Sequence, residues 1–598
     1  MSAAVSASPK DRSGGISPRI PSFFGLPNWA WSRYAESRSI AYVFFAAVYI
    51  IPNVMLARQK LIWDDEFFTL YLSKIPNWNE LWRALSTGAD QHPPTFYYLT
   101  HLIFRFAGTS HLTLRSTALV GFGLCCLCLY EIARRLIGPR WAVPAMLAPM
   151  TTSALYYATE GRGYGLELGF VTLSLLMWIF ALEGKKRAWT VPALAVALCL
   201  AVASHYYAVL FLFPLVAGEL VKTWLRRSID VPVCCAFFAA FIPLLLFAPI
   251  ILRAKAYSEH FWAVPFWGQM LGWYFNMSGG MLLLLLAAAG VMFSLRIPAN
   301  DAKDAMRKWS FPVIIAVTFC SILPVVGGIA AKLITHAFTE RYFIAALPGI
   351  IILLIWGLRR VIRNDFAGPA LASALCLLLS TQQWNGLRRN QVDRLRELRS
   401  IATLLRHAGT VPGNDGSRVN NVGAGDAPIV LSQVTDLHQL SFYGQRDLAN
   451  RLVYTADPHL SVRYMGHDTI DRGMLDLVSW FPLKVVWWRD WWSAHRYSLV
   501  YGYIGSWTWS TFALRDIGTV QLLDRDLDHL LFAVTRTKVP EDDRTAGDPS
   551  GKPLLVDQLP ADGPPLCKVY LPTDTCPIVD DASFATPIIS YPDWLNRR

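Results

Sequence analysis

The sequence predicts a polytopic α-helical membrane protein with a C-terminal α/β domain outside the membrane. Of its 598 residues, 54% are hydrophobic and only 16% are charged, whereas soluble domains carry about 25% charged residues. Apolar runs long enough to span a membrane, about 17–25 residues, recur up to residue 385. Residues 388–598 instead show the short alternating strand and helix patterns of an α/β domain.

The distribution of charge fits a membrane protein and argues against a nucleic-acid partner. The formal net charge of the chain is +12. Residues 1–387 hold 32 Lys+Arg and 18 Asp+Glu, a net charge of +14, while residues 388–598 hold 23 and 25, a net charge of −2. Because the excess positive charge lies in the apolar part, it indicates membrane topology rather than a basic nucleic-acid-binding patch.

Three regions follow one another along the chain. Residues 1–38 are basic, rich in Ser, Pro and Gly, and without a cleavage-site pattern, so they predict a cytoplasmic tail and not a signal peptide. Residues 39–387 form the membrane module, which includes a long first outer loop at 58–111. Eleven spans are predicted, at about 39–57, 112–131, 141–158, 165–182, 189–205, 207–225, 231–252, 269–295, 309–331, 342–359 and 368–385.

The connectors between these spans predict the orientation. With the N-terminus inside, the tail and the inner connectors carry 21 Lys and Arg, and the outer connectors carry 10. This asymmetry follows the positive-inside rule. An odd number of spans then places residues 388–598 outside.

The C-terminal region has the pattern of a compact domain. Strands are predicted at 427–432, 483–488 and 530–534, a helix start at 435–438, and a basic amphipathic helix at 387–408. Eight of the ten cysteines lie in apolar stretches and are interpreted as core residues. A disulfide between Cys567 and Cys576 is expected if this region faces an oxidising compartment.

The first outer loop holds the strongest candidate for chemistry, the run Trp63-Asp64-Asp65-Glu66. Ionisable groups at a membrane boundary are costly unless they are used or paired, although acids are also favoured at the start of a helix. Adjacent side chains diverge by about 100° on a helix, so at most one or two reach the same atom. One acid is then a general base, and its neighbour orients it or holds an ion. A divalent cation is possible, but no ligand set has convincing spacing.

Other polar residues are predicted to face the same side of the membrane. His92 precedes two prolines and is either a turn residue or the start of a helix that faces the outer cavity. Glu160 and Arg162 share a Gly-rich turn, either as a surface ion pair or with the arginine presented to a phosphate. His205, Lys332 and Arg341 are each interfacial anchors when taken alone. Together, these residues predict a pocket for an anionic lipid head group beside a base.

This combination of motifs resembles the GT-C glycosyltransferases, specifically the Rgt-type branch of lipopolysaccharide-core transferases. It is also similar to protein O-mannosyltransferases and the aminoarabinose transferase of lipid A. The family pattern has an acidic pair after an aromatic residue, a His-Pro-Pro-x-x-Tyr-Tyr stretch, a Gly-Thr-Ser…Leu-x-Leu-Arg stretch, a Glu-x-Arg-x-Tyr turn and a late Arg-Tyr. These correspond here to Asp64-Asp65-Glu66, His92–Tyr98, Gly108–Arg115, Glu160–Tyr164 and Arg341-Tyr342.

The resemblance implies transfer of a sugar from a polyprenyl-phosphate donor to a glycan, lipid or protein acceptor at the outer face of a bacterial plasma membrane. The implied mechanism is inverting. The family has an Asp-Glu pair where this chain has three acids, so either Asp64 or Asp65 is the base, and aligning Glu66 with the family's glutamate favours Asp65. The lipid phosphate is the leaving group, and cations such as Arg162, Lys332 or Arg341 stabilise its charge. The implied lipid-phosphate site also includes His92, Glu160, Tyr164 and His205.

Two other functions compete with sugar transfer. A lipid or sugar transporter, such as a flippase, commonly shows related halves and helices broken at the membrane midplane, and the sequence indicates neither. A non-catalytic membrane scaffold that binds through its outer domain does not require Asp65.

Overall fold

The computed structural model describes residues 37–277, 310–362, 366–406, 427–506 and 508–540, together with positions 279, 290, 364, 410–412 and 418–420. Most of the predicted N-terminal tail and the Cys567–Cys576 pair therefore lie outside the described residues. The chain is mostly helical up to residue 406 and mixed α/β beyond it.

The membrane module is built from helices joined by short turns. The helices are α1 (Arg38–Gln59), α2 (Asp64–Ser73), α3 (Trp78–Leu85), α4 (Pro94–Ala107), α5 (His111–Leu136), α6 (Ala142–Leu147), α7 (Leu155–Ala158), α8 (Tyr164–Leu182), α9 (Arg187–Ser204), α10 (Leu212–Arg226), α11 (Val231–Phe238), α12 (Ile242–Leu246), α13 (Ala248–Ala254), α14 (Phe311–Cys320), α15 (Leu323–Ala330), α16 (Leu347–Ile362) and α17 (Ala367–Arg406).

Among the described residues, six helices are long and apolar enough to cross a membrane, or eight if each of two bent pairs is one span. The chain is thus a multi-pass membrane protein, and its described residues do not confirm the count of eleven spans. The bent pairs, Val231–Leu246 with Ala248–Tyr257 and Phe311–Cys320 with Leu323–Thr335, are kinked by 62° and 54°. The sequence indicates no broken helix, whereas these two segments are bent in the structure. The predicted span 269–295 lies partly outside the described residues.

Two other predicted spans have local reasons to differ. In the segment 141–158, Pro149 lies in a 3₁₀ turn between α6 and α7, and the hydroxyls of Thr151 and Thr152 donate to preceding carbonyls. Such side-chain bonds and proline interrupt a regular helix. The segment 368–385 lies in the 40-residue α17, which runs on through the predicted amphipathic helix at 387–408.

Close packing of α5 against α8 fixes the beginning of α8. A Cβ atom at Gly165 would lie 2.5 Å from the Ala118 carbonyl oxygen, and one at Gly121 would lie 2.4 Å from the Leu166 Cα. Small residues allow membrane helices to approach in this way. This packing fixes the position of the Gly-rich turn that precedes α8.

The C-terminal region contains a six-stranded mixed sheet and a separate pair of strands. The strands are β1 (Thr410–Pro412), β2 (Arg418–Asn420), β3 (Ile429–Leu431), β4 (Leu452–Ala456), β5 (Val485–Trp487), β6 (Tyr497–Tyr503), β7 (Gly518–Asp526) and β8 (His529–Arg536), and the helices are α18 (Val434–Tyr443), α19 (Arg446–Arg451), α20 (Pro458–Met465), α21 (Thr469–Leu477), α22 (Trp488–Ala494) and α23 (Trp509–Ala513).

The strand order is β5-β4-β3-β6-β8-β7, and β1 pairs with β2 separately. Strand β3 is parallel to both β4 and β6, while β8 is antiparallel to β6 and β7. The predicted strands correspond to β3, β5 and β8. The predicted helix start at 435–438 is displaced, because α18 already begins at Val434.

The sheet region packs on the first outer loop. The Gln439 side chain donates to the Ile62 carbonyl at 2.9 Å, the Tyr443 hydroxyl accepts from the Ile62 amide at 2.9 Å, and Gln391 of α17 accepts from the Leu61 amide at 2.9 Å. These contacts fix the backbone immediately before the acidic run.

Candidate active site

A cavity of about 2180 Å³ lies between the membrane module and the sheet region. Seven of the ten predicted site residues line it, namely Asp64, Asp65, His92, Glu160, Arg162, His205 and Arg341. The structure thus brings together residues from the first outer loop, the Gly-rich turn and two later helix ends. Glu66, Tyr164 and Lys332 are not among the lining residues.

Glu66 is enclosed in the protein. Its two carboxylate oxygens accept from Arg115 Nε at 2.7 Å and Nη2 at 2.6 Å, and the Gly161 amide donates to it at 2.6 Å. It also accepts from the Trp63 amide at 3.0 Å, which caps α2. Burial tends to raise the pKa of Glu66, but Arg115 and Lys60 outweigh it and lower this pKa to about 2. The carboxylate therefore joins the acidic helix to the Gly-rich turn.

Asp65 faces the cavity. Its Oδ2 accepts from Arg341 Nη1 at 2.6 Å, and the two side chains are 28% and 20% exposed. Arg162 Nη1 donates to the Asp65 backbone carbonyl at 3.1 Å. Burial opposes ionisation, but the charges of Arg341 and Arg162 prevail and hold the pKa of Asp65 below its ordinary value. An ionised carboxylate and a cation therefore share the cavity wall.

Asp64 points toward the sheet region. Its Oδ1 lies 2.6 Å from Nδ1 of His438, a residue of α18. The three acids thus contact three different partners, as the divergence of adjacent helical side chains predicts. Within the described ranges, no group of three His, Cys, Asp or Glu residues is arranged to hold a metal ion.

Arg162 is held by a carboxylate that the sequence analysis did not select. Its Nη1 and Nη2 donate to the two oxygens of Asp90 at 2.8 and 2.9 Å, and the Tyr97 hydroxyl also donates to Asp90. Bidentate pairs of this kind are strong and directional. Arg162 is therefore committed to an internal contact, although it still lines the cavity.

The predicted histidines form an aromatic wall. His92 Nε2 lies 3.1 Å from the Tyr164 hydroxyl, and the His205 ring lies 5.2 Å from the rings of His92 and Tyr342. Burial, reinforced by the charges of Arg162 and Arg341, lowers the pKa of His92 and lowers that of His205 to about 3. Both imidazoles are therefore neutral at physiological pH and offer hydrogen bonds instead of charge.

Glu160 and Lys60 lie buried beside the acidic helix. Burial raises the pKa of Glu160 and lowers the pKa of Lys60. The Lys60 ammonium donates to the Thr159 carbonyl at 3.3 Å and lies 3.7 Å from the centre of the Tyr156 ring. By contrast, the predicted phosphate ligand Lys332 lies 4.6 Å from the Trp267 ring centre.

Comparisons with known proteins give one partial family match and several likenesses of fold. Residues 91–252 match the family described as dolichyl-phosphate-mannose-protein mannosyltransferase. The structure of ArnT from Cupriavidus metallidurans bound to undecaprenyl phosphate is similar to this fold, with a TM-score of 0.50, 13% identity, and coverage of 85% of this chain and 100% of that one. The family match is thus confined to residues 91–252, and the likeness to ArnT is one of fold over most of the chain.

Two further solved structures match the chain at lower TM-scores. ArnT from the same organism in the apo state has a TM-score of 0.49 at 13% identity, with the same coverage of 85% and 100%. The Archaeoglobus fulgidus oligosaccharyltransferase tethered with an acceptor peptide has a TM-score of 0.33 at 12% identity, with coverage of 83% of this chain and 75% of that one. No curated protein sequence matches the chain.

Sequence reasoning missed four residues of this site, namely Lys60, Asp90, Arg115 and His438. Arg115 belongs to the Leu-x-Leu-Arg motif, and Asp90 lies two residues before His92. An unpaired arginine in an apolar helix requires a carboxylate partner, and that requirement was the available signal for Arg115. His438 lies 374 residues from Asp64, so only the folded chain identifies it.

Proposed function

We propose that this protein transfers a sugar from a polyprenyl-phosphate donor to a hydroxyl of a glycan, lipid or protein acceptor at the outer face of a bacterial plasma membrane. The observation that carries this proposal is the Asp65–Arg341 pair on the wall of the large cavity. The cavity supplies room for a donor and an acceptor, and the pair supplies a base beside a phosphate-binding cation. The undecaprenyl phosphate bound to the similar ArnT structure supports a lipid donor.

The proposed reaction is a single inverting displacement. The acceptor oxygen attacks the anomeric carbon while Asp65 takes its proton, and the bond from that carbon to the phosphate oxygen breaks. The electron pair stays with the departing lipid phosphate, whose charge Arg341 stabilises. Proton removal by a positioned base and preorganised cations both lower such barriers.

Donor binding prepares the base in this scheme. In the structure, Asp65 is bound to Arg341, which weakens it as a base because its pKa is lowered. A phosphate also binds guanidinium groups in a bidentate manner. When the donor phosphate engages Arg341, Asp65 loses part of that pairing and becomes able to accept a proton.

The regional organisation is part of the proposal. Residues 1–38 remain cytoplasmic, 39–387 form the catalytic membrane module, and 388–598 lie outside, as the positive-inside pattern favours. His92, His205 and Tyr164 line or support the sugar and phosphate site with neutral hydrogen-bonding groups. Glu66 holds the acidic helix in place instead of reacting.

A transporter is the alternative function, and the two bent helix pairs favour it. The decisive experiment offers the purified protein in lipid nanodiscs a panel of labelled polyprenyl-phosphate sugars and lipopolysaccharide as acceptor. We expect transfer by the wild type and a loss of about 10²–10⁴-fold in Asp65→Asn. Asp64→Asn is the matched control, because its partner is His438.

Full activity in a folded Asp65→Asn protein would show that Asp65 is not the base, and loss confined to Asp64→Asn would assign that role to Asp64. Binding of the lipid without consumption of its sugar would support transport.

A further inference from the structure

The carboxyl ends of three parallel strands open into the cavity. The register aligns Leu431 of β3 with Tyr454 of β4 and with Tyr501 of β6. The chain leaves β3 toward β4 on one side, and β6 lies on the other side. In open α/β sheets, ligands bind outside the carboxyl ends of strands where the strand order reverses in this way.

Two buried polar side chains that line the cavity have atoms without partners. Ser432 directly follows β3, is 3% exposed, and its hydroxyl has no hydrogen-bond partner in the described part of the chain. His467 is 8% exposed, and both of its ring nitrogens likewise lack partners there. Both residues line the cavity. Buried polar groups are normally hydrogen-bonded, so these atoms indicate a polar ligand.

The beginning of α18 adds backbone donors. Val434 and Thr435 line the cavity, and the preceding Gln433 side chain does not cap the helix. Instead, its Nε2 donates to the Ser506 carbonyl beyond β6 at 2.9 Å. The first N–H groups of an uncapped helix remain available to a ligand.

The charges around this edge favour an uncharged ligand. The first turn of α18 already holds Asp436, and Arg394 is engaged by Asp436 at 2.6 Å and by Glu397 at 2.8 Å. Burial lowers the pKa of His467 to about 4, so this imidazole is neutral and offers one donor and one acceptor. A hydroxyl can use both kinds of group, whereas an anion would meet the Asp436 charge.

Aromatic surfaces complete the site. Tyr503 at the end of β6 is half-buried and stacks on His529, with 5.0 Å between ring centres. Trp262 of the membrane module is half-buried, and its amide donates to Thr469 Oγ1 at 3.3 Å. Both line the same cavity. Flat apolar faces beside hydrogen-bonding groups suit a sugar ring, which has one apolar face and a rim of hydroxyls.

We propose that the strand-end site, formed by Ser432, the start of α18, His467, Tyr503 and Trp262, binds the saccharide portion of the acceptor. This inference rests on the proposed glycosyl transfer. His438, in the same helix α18, contacts Asp64, the neighbour of Asp65. Four residues of helix span about 6 Å along its axis, so a short oligosaccharide held at the strand ends reaches the base.

The test measures acceptor and donor kinetics separately. With lipopolysaccharide as acceptor, we expect Tyr503→Ala to raise the acceptor KM by about tenfold and Ser432→Ala by several-fold, consistent with the loss of a stacking surface or a hydrogen bond. The KM for the lipid donor stays unchanged. Tyr497→Ala, at the exposed opposite end of β6, is the matched control. An unchanged acceptor KM, or an equal rise in both KM values, overturns the strand-end site while leaving glycosyl transfer intact.

A second measurement does not depend on catalysis. Saturation-transfer NMR with a delipidated core oligosaccharide at millimolar concentration reports contact of sugar protons with the protein. Contact that is present in the wild type and in Asp65→Asn, and lost in Tyr503→Ala, supports the site even if no sugar transfer is found. No contact in the wild type overturns it, as does contact that disappears when a phosphatase removes the phosphates of the oligosaccharide.

Discussion

Two carboxylate–guanidinium pairs start from adjacent residues of α2 and end in opposite environments. The closed pair, Glu66–Arg115, has both side chains fully buried. The open pair, Asp65–Arg341, is 28% and 20% exposed at the cavity wall. One helical step therefore separates a contact within the protein from a contact that a ligand can reach.

The difference lies in the use of the arginine donors. Arg115 donates twice to Glu66 and also donates to the carbonyls of Ala57, Lys60 and Leu61, which uses all five guanidinium N–H groups. Arg341 donates to Asp65, and its buried Nε has no partner among the described residues. The guanidinium of the closed pair therefore has all its N–H donors in use, whereas that of the open pair can still donate to a phosphate.

The largest effect is expected from breaking the closed pair. Glu66→Gln leaves the Arg115 charge buried without a counter-charge, which costs about 3–5 kcal/mol. We expect a strongly lowered melting temperature in detergent and poor recovery of folded protein. Asp65→Asn breaks the open pair instead, and solvent screening limits its cost to about 1 kcal/mol or less. Equal destabilisation by the two variants would refute the distinction between the pairs.

A smaller effect, confined to function, is expected from the open pair's cation. Arg341→Gln removes the proposed phosphate donor and should reduce sugar transfer by about 10²–10³-fold. It should also weaken binding of undecaprenyl phosphate, measured by titration of the protein in nanodiscs, while the melting temperature changes little. Arg341→Lys keeps the charge and should restore part of the affinity. Normal lipid affinity in Arg341→Gln would remove Arg341 from the phosphate site.

Much of the site was predictable because its residues sit in short motifs at helix ends. Asp64, Asp65, His92, Arg162 and Arg341 were all expected on one side of the membrane, and the structure places them around one cavity. The pairing of these residues was harder to predict, because it depends on long-range packing. Arg115 pairs with Glu66, and Asp90 pairs with Arg162. Sequence alone therefore identified the acids without separating the closed pair from the open pair.

The fold shows the same limit. Local apolar periodicity predicted the long helices and several strands, since these depend on nearby residues. The predicted span 141–158 is not one regular helix, because Pro149 and neighbouring hydroxyls interrupt it. The contact of His438 with Asp64 joins regions separated by 374 residues, and no local pattern encodes it.

The smallest expected effect is a pH dependence that isolates the closed pair. The pKa of Glu66 is lowered from 4.5 to about 2, with burial outweighed by Arg115 and Lys60. Its stabilising contribution is therefore complete above about pH 5.5 and is lost as the pH falls toward 2, because the unfolded chain takes up the proton first. Linkage gives a loss of about 1 kcal/mol by pH 4. Melting temperatures of wild type and Glu66→Gln should accordingly converge between pH 7 and pH 4, since the variant lacks this carboxyl. A difference that stays constant over that range would mean that Glu66 is not held ionised by its partners, and the contrast with the open pair would then rest on solvent exposure alone.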